Sequence, residues 1–253
     1  MKTNFSEFTD SQWQVIEKII DCKRKRKHSL RTILDAIFWI NNTGSQWRNL
    51  DSKFPAWQTV FYHFTHFKKL KIWENILDYL VIMEREKKEK ESTPSLLAID
   101  SQSVKIVQFT FEEKGIDGGK FINGRKRTIL VDTLGLPWAI KVTAANISDN
   151  QAGILAVDLL QKRTPRLEKI TADMGYKNTF VNYVNTEYKL EVEIAQKPES
   201  KEGFVPQKNR WQVERSFGWL NFRRRLFRDV EKTILSSEAM LRIAFISLII
   251  NRL

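Results

Sequence analysis

The sequence predicts an α/β fold: a mixed five-stranded sheet flanked by helices, preceded by a small all-α region. Three observations predict it. Apolar residues recur at helical spacing through roughly the first ninety positions. Short β-branched runs bounded by turn residues begin only after Pro94. From there strand and helix patterns alternate, which layers helices on a sheet.

Thr9-Asp-Ser-Gln12 has the form of a capping box ahead of Trp13, Ile16 and Ile20. Ser29 can cap a second helix carrying Leu30, Ile33, Leu34, Ile37 and Phe38, which Gly44 ends. Pro55 opens a third helix with Trp57, Val60, Phe61 and Phe64, and a fourth carries Trp73, Ile76, Leu77 and Leu80. Residues 84–94 are mixed in charge and lack large apolar side chains, the composition of an exposed helix end and linker. The expected boundary therefore divides a helical domain over 1–93 from a second domain over 94–253.

Beyond Pro94, Leu96-Leu-Ala-Ile99 reads as a strand ending at Asp100. Residues 128–133 and 138–143 form a hairpin around Leu134-Gly-Leu-Pro137. Ser148 or Asp149 caps a helix through Ile154, Leu155, Val157, Leu159 and Leu160. Lys169-Ile-Thr-Ala172 is a strand ending at Asp173, followed by a helix over 180–188 and a strand over 190–195. Two helices close the chain, from about Lys208 and about Ser236. Three strands, helix, strand, helix, strand and helices is the order of a ribonuclease-H-like domain. Fold alone does not give function, so the site residues must.

A chain of 253 residues can bury a large core, and an apolar share of 42% with 8 Trp and 16 Phe excludes a mainly disordered protein. Lysine and arginine outnumber aspartate and glutamate 42 to 30, and the net charge of +12 favours a polyanionic partner such as nucleic acid. Cys22 is the only cysteine, which excludes an intrachain disulfide and a cysteine-rich zinc site. His63 and His66 sit among aromatic residues and read as helix packing rather than metal ligands. Residues 1–10 lack an apolar stretch, and the run over 243–250 is too short to span a bilayer. The expectation is a cytoplasmic protein with no membrane partner.

Two predicted strands end in an aspartate, Asp100 and Asp173, where side chains of α/β folds project into a crevice. Glu214 lies in a helical stretch over 209–225, where Val213, Phe217 and Leu220 should face the sheet. Arg210, Glu214, Asn221 and Arg225 share an adjacent stripe, so Glu214 can lean over the strand ends. A solvated pair with Arg210 four residues earlier is the alternative reading. Three carboxylates brought together repel one another unless cations intervene. In-line attack on a phosphodiester uses two magnesium ions about 3.5–4 Å apart. Oxygen ligands suit Mg²⁺, and Mn²⁺ can substitute.

At these residues the sequence resembles the DDE transposases of bacterial insertion sequences, specifically insertion sequence family five. Leu97-Ala-Ile-Asp-Ser-Gln-Ser-Val-Lys105 is similar to that family's first acidic motif, and Thr171-Ala-Asp-Met-Gly-Tyr-Lys177 to its second. Gly115-Ile-Asp-Gly-Gly-Lys120 and the stretch from Gly124 to Gly135 resemble the segment after the first. Of the third signature, tyrosine-arginine-glutamate-lysine, only Arg210 and Glu214 match; Gln207 and Asn221 replace the tyrosine and lysine. Thr43-Gly-Ser-Gln-Trp-Arg48 and Phe54-Pro-Ala-Trp-Gln-Thr-Val60 resemble the family's helical N-terminal domain. The short interval from Asp173 to Glu214 leaves no room for the large β-rich insertion of some relatives.

The resemblance implies that Asp100, Asp173 and Glu214 are catalytic and hold Mg²⁺. It implies double-stranded DNA partners, both terminal inverted repeats and target, and a homodimer or larger assembly working at the bacterial nucleoid. Expected DNA contacts are Arg210, the run Lys23, Arg24, Lys25, Arg26 and Lys27, the run Arg125, Lys126 and Arg127, and Arg223, Arg224 and Arg225 with Arg228 on the Glu214 helix. A solvated loop is the competing reading of residues 23–27. A nuclease of the same fold, or a domesticated DNA-binding derivative, is the alternative function; retention of all three carboxylates argues against a non-enzymatic regulator.

Overall fold

Four helices come first, each with its start and stop written locally. The computed structural model describes residues 5–20, 26–108, 110, 112–160, 163–195 and 210–252. Helix α1 (Asp10–Glu17) opens on Thr9 and Gln12 in a reciprocal capping box. Helix α2 (Leu30–Thr43) is capped by Ser29 and stops at Gly44, whose φ of 75° is left-handed. A Cβ at Gly44 would also meet the Arg224 backbone at 3.2 Å, so glycine serves both the turn and the packing. Helix α3 (Trp57–Lys69) starts two residues after Pro55, and α4 (Ile72–Lys87) follows after a left-handed Lys71.

The charged stretch over 84–94 departs from expectation at its first two residues, which lie inside α4. Glu84 and Arg85 are buried, whereas residues 86–92 are exposed. Arg85 Nη1 lies 2.5 Å from Asp132 Oδ2, and its other nitrogens donate to the carbonyls of Glu91 and Thr93. Asp132 also accepts from the N–H groups of Leu134 and Leu136 and from Trp138 Nε1. The charges over 86–92 are solvated as expected, but Arg85 is not: it fastens the end of α4 to the turn of the sheet's hairpin.

The sheet has six strands, β1 (Leu96–Lys105), β2 (Gly115–Asp117), β3 (Ile122–Val131), β4 (Pro137–Ala144), β5 (Lys169–Ala172) and β6 (Glu191–Ile194). Strand β3 pairs antiparallel with β1 on one side, and with β4 and the short β2 on the other. On the far side of β1, β5 and then β6 join in parallel. This antiparallel meander flanked by two parallel strands is the ribonuclease-H-like order, with β2 as an addition to the five strands expected. Strand β1 runs five residues past Asp100 because β3 pairs with it from Ala98 to Lys105. Asp100 is therefore inside the strand, opposite Ile129.

Helix α5 (Asp149–Val157) starts at a Ser148 cap and packs on β3 and β4; α6 (Thr179–Tyr183) runs on into a π turn over Val184–Tyr188. Helix α7 (Trp211–Leu220) packs on β1 and β3. It ends at Asn221, and Arg223–Arg225 lie beyond it, Arg224 and Arg225 within a 3-10 turn over Arg224–Leu226. The arginine run is thus not on the Glu214 helix, and Asn221 and Arg225 do not continue a stripe with Arg210 and Glu214.

Helix α8 (Ile234–Ile250) is buried almost all round, so its sequence shows no polar face. It touches α2, α3 and α4 as well as β4. Asn41 donates to the Met240 carbonyl at 3.0 Å, and Glu238 accepts from the Val142 N–H at 3.1 Å. One apolar cluster consequently runs from the N-terminal helices through α8 to the sheet.

Candidate active site

Three elements bring acidic side chains to one place. Asp100 comes from the middle of β1, Asp173 from the residue after β5, and Glu214 from the first turn of α7. Because β1 and β5 are parallel neighbours, the two aspartates belong to adjacent strands. The guanidinium of Arg210 stands at their focus: its Nη2 lies 3.7 Å from Asp100 Oδ2, 3.8 Å from Asp173 Oδ2 and 4.0 Å from Glu214 Oε1. These are ion-pair distances, longer than hydrogen bonds.

Local hydrogen bonds aim two of the acids. Asp100 Oδ1 accepts from the Ser101 N–H at 2.7 Å, and Asp173 Oδ1 from the Gly175 N–H at 2.8 Å. That leaves the Oδ2 atoms turned toward Arg210. Burial pushes the Asp100 carboxyl up to about 6; the Ser101 N–H and Arg210 pull against that rise, and Asp173 adds to it. Tyr176, in the turn after Asp173, shares a 2.6 Å hydrogen bond with Ser101 Oγ, which also bonds Thr128 at 2.8 Å. Burial holds the Tyr176 phenol well above its ordinary value, so it stays neutral beside the acids.

The expected DNA contacts divide into buried and exposed groups. Arg125, Lys126 and Arg127 are buried, contrary to the expectation of a DNA-facing run. Arg125 pairs with Asp229 at 3.2 Å and donates to the Glu231 carbonyl at 2.9 Å. Arg127 donates to the Leu226 carbonyl, and Lys126 Nζ lies 2.8 Å from Asp149 Oδ1. All three lie on β3 between two partner strands, so alternate side chains enter the helix layers on either face.

Two of the later arginines are also taken up internally. Arg223 donates to Asn42 and Ser247, and Arg225 to Glu231 and the Ser45 carbonyl, tying the segment after α7 to α2 and α8. Arg224 and Arg228 are exposed, as is Lys27, while Arg26 is half-buried. Lys23, Arg24 and Lys25, like Cys22 and Gln207, lie outside the described residues. His63 packs edge-on against Phe67, as its aromatic neighbours suggested.

Sequence reasoning gave the three acids from chemistry and family resemblance and set the run with Lys126 near them as DNA contacts, but did not pair Lys126 with Asp149. The sequence shows Asp149 as a carboxylate at a helix start, where it is stabilised, but nothing local in it points to Lys126.

A mixed sheet of this order, with carboxylates from β1, β5 and a following helix gathered at one end, defines a ribonuclease-H-like domain. The family model described as "Transposase DDE domain" matches residues 91–250, and the chain belongs to that family. A second model, described as "Putative transposase of IS4/5 family", matches residues 8–77, so the helical N-terminal part is family sequence too. A search of curated proteins found no match. A cryo-EM structure of the piggyBac transposase synaptic complex with hairpin DNA matches at 13% identity with a TM-score of 0.37. That match covers 79% of this chain and 51% of the other, so the chain spans about half the length of that protein.

A DDE domain is a divalent-metal-dependent one, and the oxygen donors of Asp100, Asp173 and Glu214 are of the type a hard cation takes, although here they face the Arg210 guanidinium. Among the described residues no three acidic, histidine or cysteine side chains stand close enough together to grip a metal directly. The acids are spread around Arg210, which stands in for positive charge. No helix among the described residues is long and apolar enough to cross a membrane.

Proposed function

We propose that this chain binds the ends of an insertion sequence, cuts DNA there and joins the freed 3′-hydroxyl to target DNA. The observation that carries the reading is the focus of Asp100, Asp173 and Glu214 on one guanidinium, within a transposase DDE domain.

In this reading Asp100, Asp173 and Glu214 are the catalytic acids and would hold Mg²⁺, with Mn²⁺ able to substitute. When bound, the metal makes the attacking hydroxyl nucleophilic and stabilises the leaving oxygen. The chain's own part is to bring three acids from separate elements to one end of the sheet. Arg210 balances their charge until a cation does so, after which its guanidinium can face a DNA phosphate. The exposed Arg224, Arg228 and Lys27 supply further phosphate contacts, and residues 1–93 act as the domain that reads the ends. Cutting two ends together calls for a homodimer or larger assembly, working on DNA at the bacterial nucleoid.

The test is incubation of pure protein with Mg²⁺, target plasmid and duplex carrying the inverted repeats that flank its coding region, followed by sequencing of products. Joined molecules with element 3′ ends covalently attached to target are expected. Cut but unjoined ends would reduce the reading to a nuclease, and intact duplex would overturn it.

A further inference from the structure

The carboxylate site has a second cation, this one buried, on its α5 side. Lys126, almost completely buried on β3, sits between Ser103 of β1 and Thr143 of β4. Its Nζ donates to the Ile147 carbonyl at 2.7 Å and to Asp149 Oδ1 at 2.8 Å. Those two bonds fix the start of α5. The other Asp149 oxygen, Oδ2, faces the turn that carries Asp173.

Gly175 shows how close that approach is. A Cβ built on Gly175 would lie 3.0 Å from Asp149 Oδ2 and 3.0 Å from Asp173 Oδ1. The two carboxylates therefore flank Gly175 so closely that a Cβ there would push one or both of them aside by a few tenths of an ångström. The next residue of α5 completes the contact: Asn150 Nδ2 donates to the Gly175 carbonyl at 3.0 Å, and Asn150 Oδ1 accepts from the Phe180 N–H at 3.1 Å. Asp149 and Asn150 thus hold the Gly175 turn whose N–H bonds Asp173, while Arg210 faces the other oxygen of Asp173.

We propose that Asp149, locked by Lys126, is a positioning residue that sets the orientation of Asp173 through the Gly175 turn. This inference rests on the reading of Asp173 as a metal-holding acid. Lys126 matters because two carboxylates on either side of one glycine repel, and a buried ammonium on the far oxygen of Asp149 offsets that repulsion. The run Arg125-Lys-Arg127 then has a use that its charge alone does not reveal: its middle member serves the site from inside the fold.

The test uses the full chain and two readouts. Mn²⁺ binding to the protein without DNA is measured by titration calorimetry, and single-turnover cleavage of an end duplex is followed at saturating DNA. Thermal melts confirm that each variant is folded. Asp149→Asn should weaken Mn²⁺ binding by about 10- to 100-fold and slow cleavage by a similar factor, the usual cost of losing a group that orients a ligand. Lys126→Met should do the same, and the double variant should be no worse than the poorer single one. Gly175→Ala, which needs the space between the two carboxylates, should reproduce the defect, and Lys126→Arg should restore part of it. Should Lys126→Met fail to fold, Gly175→Ala and Asp149→Asn still decide the matter. Wild-type Mn²⁺ affinity in folded Asp149→Asn would overturn the proposal, as would fully additive losses. Failure of the transposase reading looks different: the wild-type protein would itself bind Mn²⁺ and leave the duplex uncut.

Discussion

Arg210 Nη2 lies 3.7 Å from Asp100 Oδ2, and Asp173 and Glu214 approach the same nitrogen at 3.8 and 4.0 Å. One positive charge therefore faces three negative ones in a partly buried setting. Arg210→Gln should leave the acids uncompensated, lowering the melting temperature at low metal. It should also remove a competitor for cations, tightening Mn²⁺ binding to the free protein by roughly 3- to 10-fold, a modest figure because the acids are partly solvated. Calorimetric titration checks this. Unchanged or weaker Mn²⁺ binding would mean that Arg210 helps to build the cation site rather than occupy it.

Burial separates the arginines after α7 into two kinds. Arg224 and Arg228 are exposed, so Arg224→Ala with Arg228→Ala should weaken binding to every DNA sequence. The slope of log affinity against log salt should flatten by roughly 0.9 for each phosphate that is no longer neutralised. Arg225→Ala should instead lower stability, because it strands the buried Glu231. Fluorescence anisotropy over a salt series, with melts alongside, separates these outcomes. A flattened slope for folded Arg225→Ala would contradict the assignment.

The ion pair between Arg85 and Asp132 joins α4 to the β3–β4 turn with both side chains almost fully buried. Asp132→Ala leaves a buried guanidinium and also strips two backbone N–H groups of their acceptor. The expected loss is about 3–5 kcal/mol, read from urea unfolding midpoints. A loss below about 1 kcal/mol would show that this joint does not hold the two parts together.

Asp35 provides a pH signature of stability. It is buried on α2, and burial raises its carboxyl to about 6, opposed by a hydrogen bond from the Phe8 N–H at 2.8 Å. The folded form binds the proton more tightly than the unfolded chain, whose ordinary value is 3.8. Its contribution is therefore full below about pH 3.8 and is lost as pH rises through about 6. Asp35→Asn keeps the acceptor and removes the titration. The variant should gain on wild type by about 1–3 kcal/mol between pH 4 and pH 7.5. A difference that stays flat across that range would refute the assignment.

Much of this fold was legible because its signals are local. Thr9, Ser29, Ser148 and Gly44 announce their helix ends by side-chain or backbone chemistry alone, and all four act as read. The limits of β1 and α7 were not legible in the same way. Strand β1 continues past Asp100 because β3 pairs with it, and α7 stops before Arg223 although the residues there favour helix. Charge misled most. Arg85, Arg125, Arg127 and Arg225 look like solvent or phosphate residues, yet each finds carbonyls or a carboxylate brought from a distant part of the chain. The acids were readable as a group through chemistry and family resemblance; the supporting pair of Lys126 and Asp149 arises only when β3 meets α5.

The most direct measurement of the central claim is single-turnover cleavage and joining of an end duplex by Asp100→Asn, Asp173→Asn and Glu214→Gln in Mg²⁺, with DNA affinity measured in parallel. Each change removes one charge at nearly constant shape. All three should lose cleavage and joining by about 10³-fold or more, as expected when a group acting in the transition state is removed, while binding DNA within a few-fold of wild type. Near-wild-type cleavage by any one of them would remove that residue from the site and contradict the three-carboxylate account.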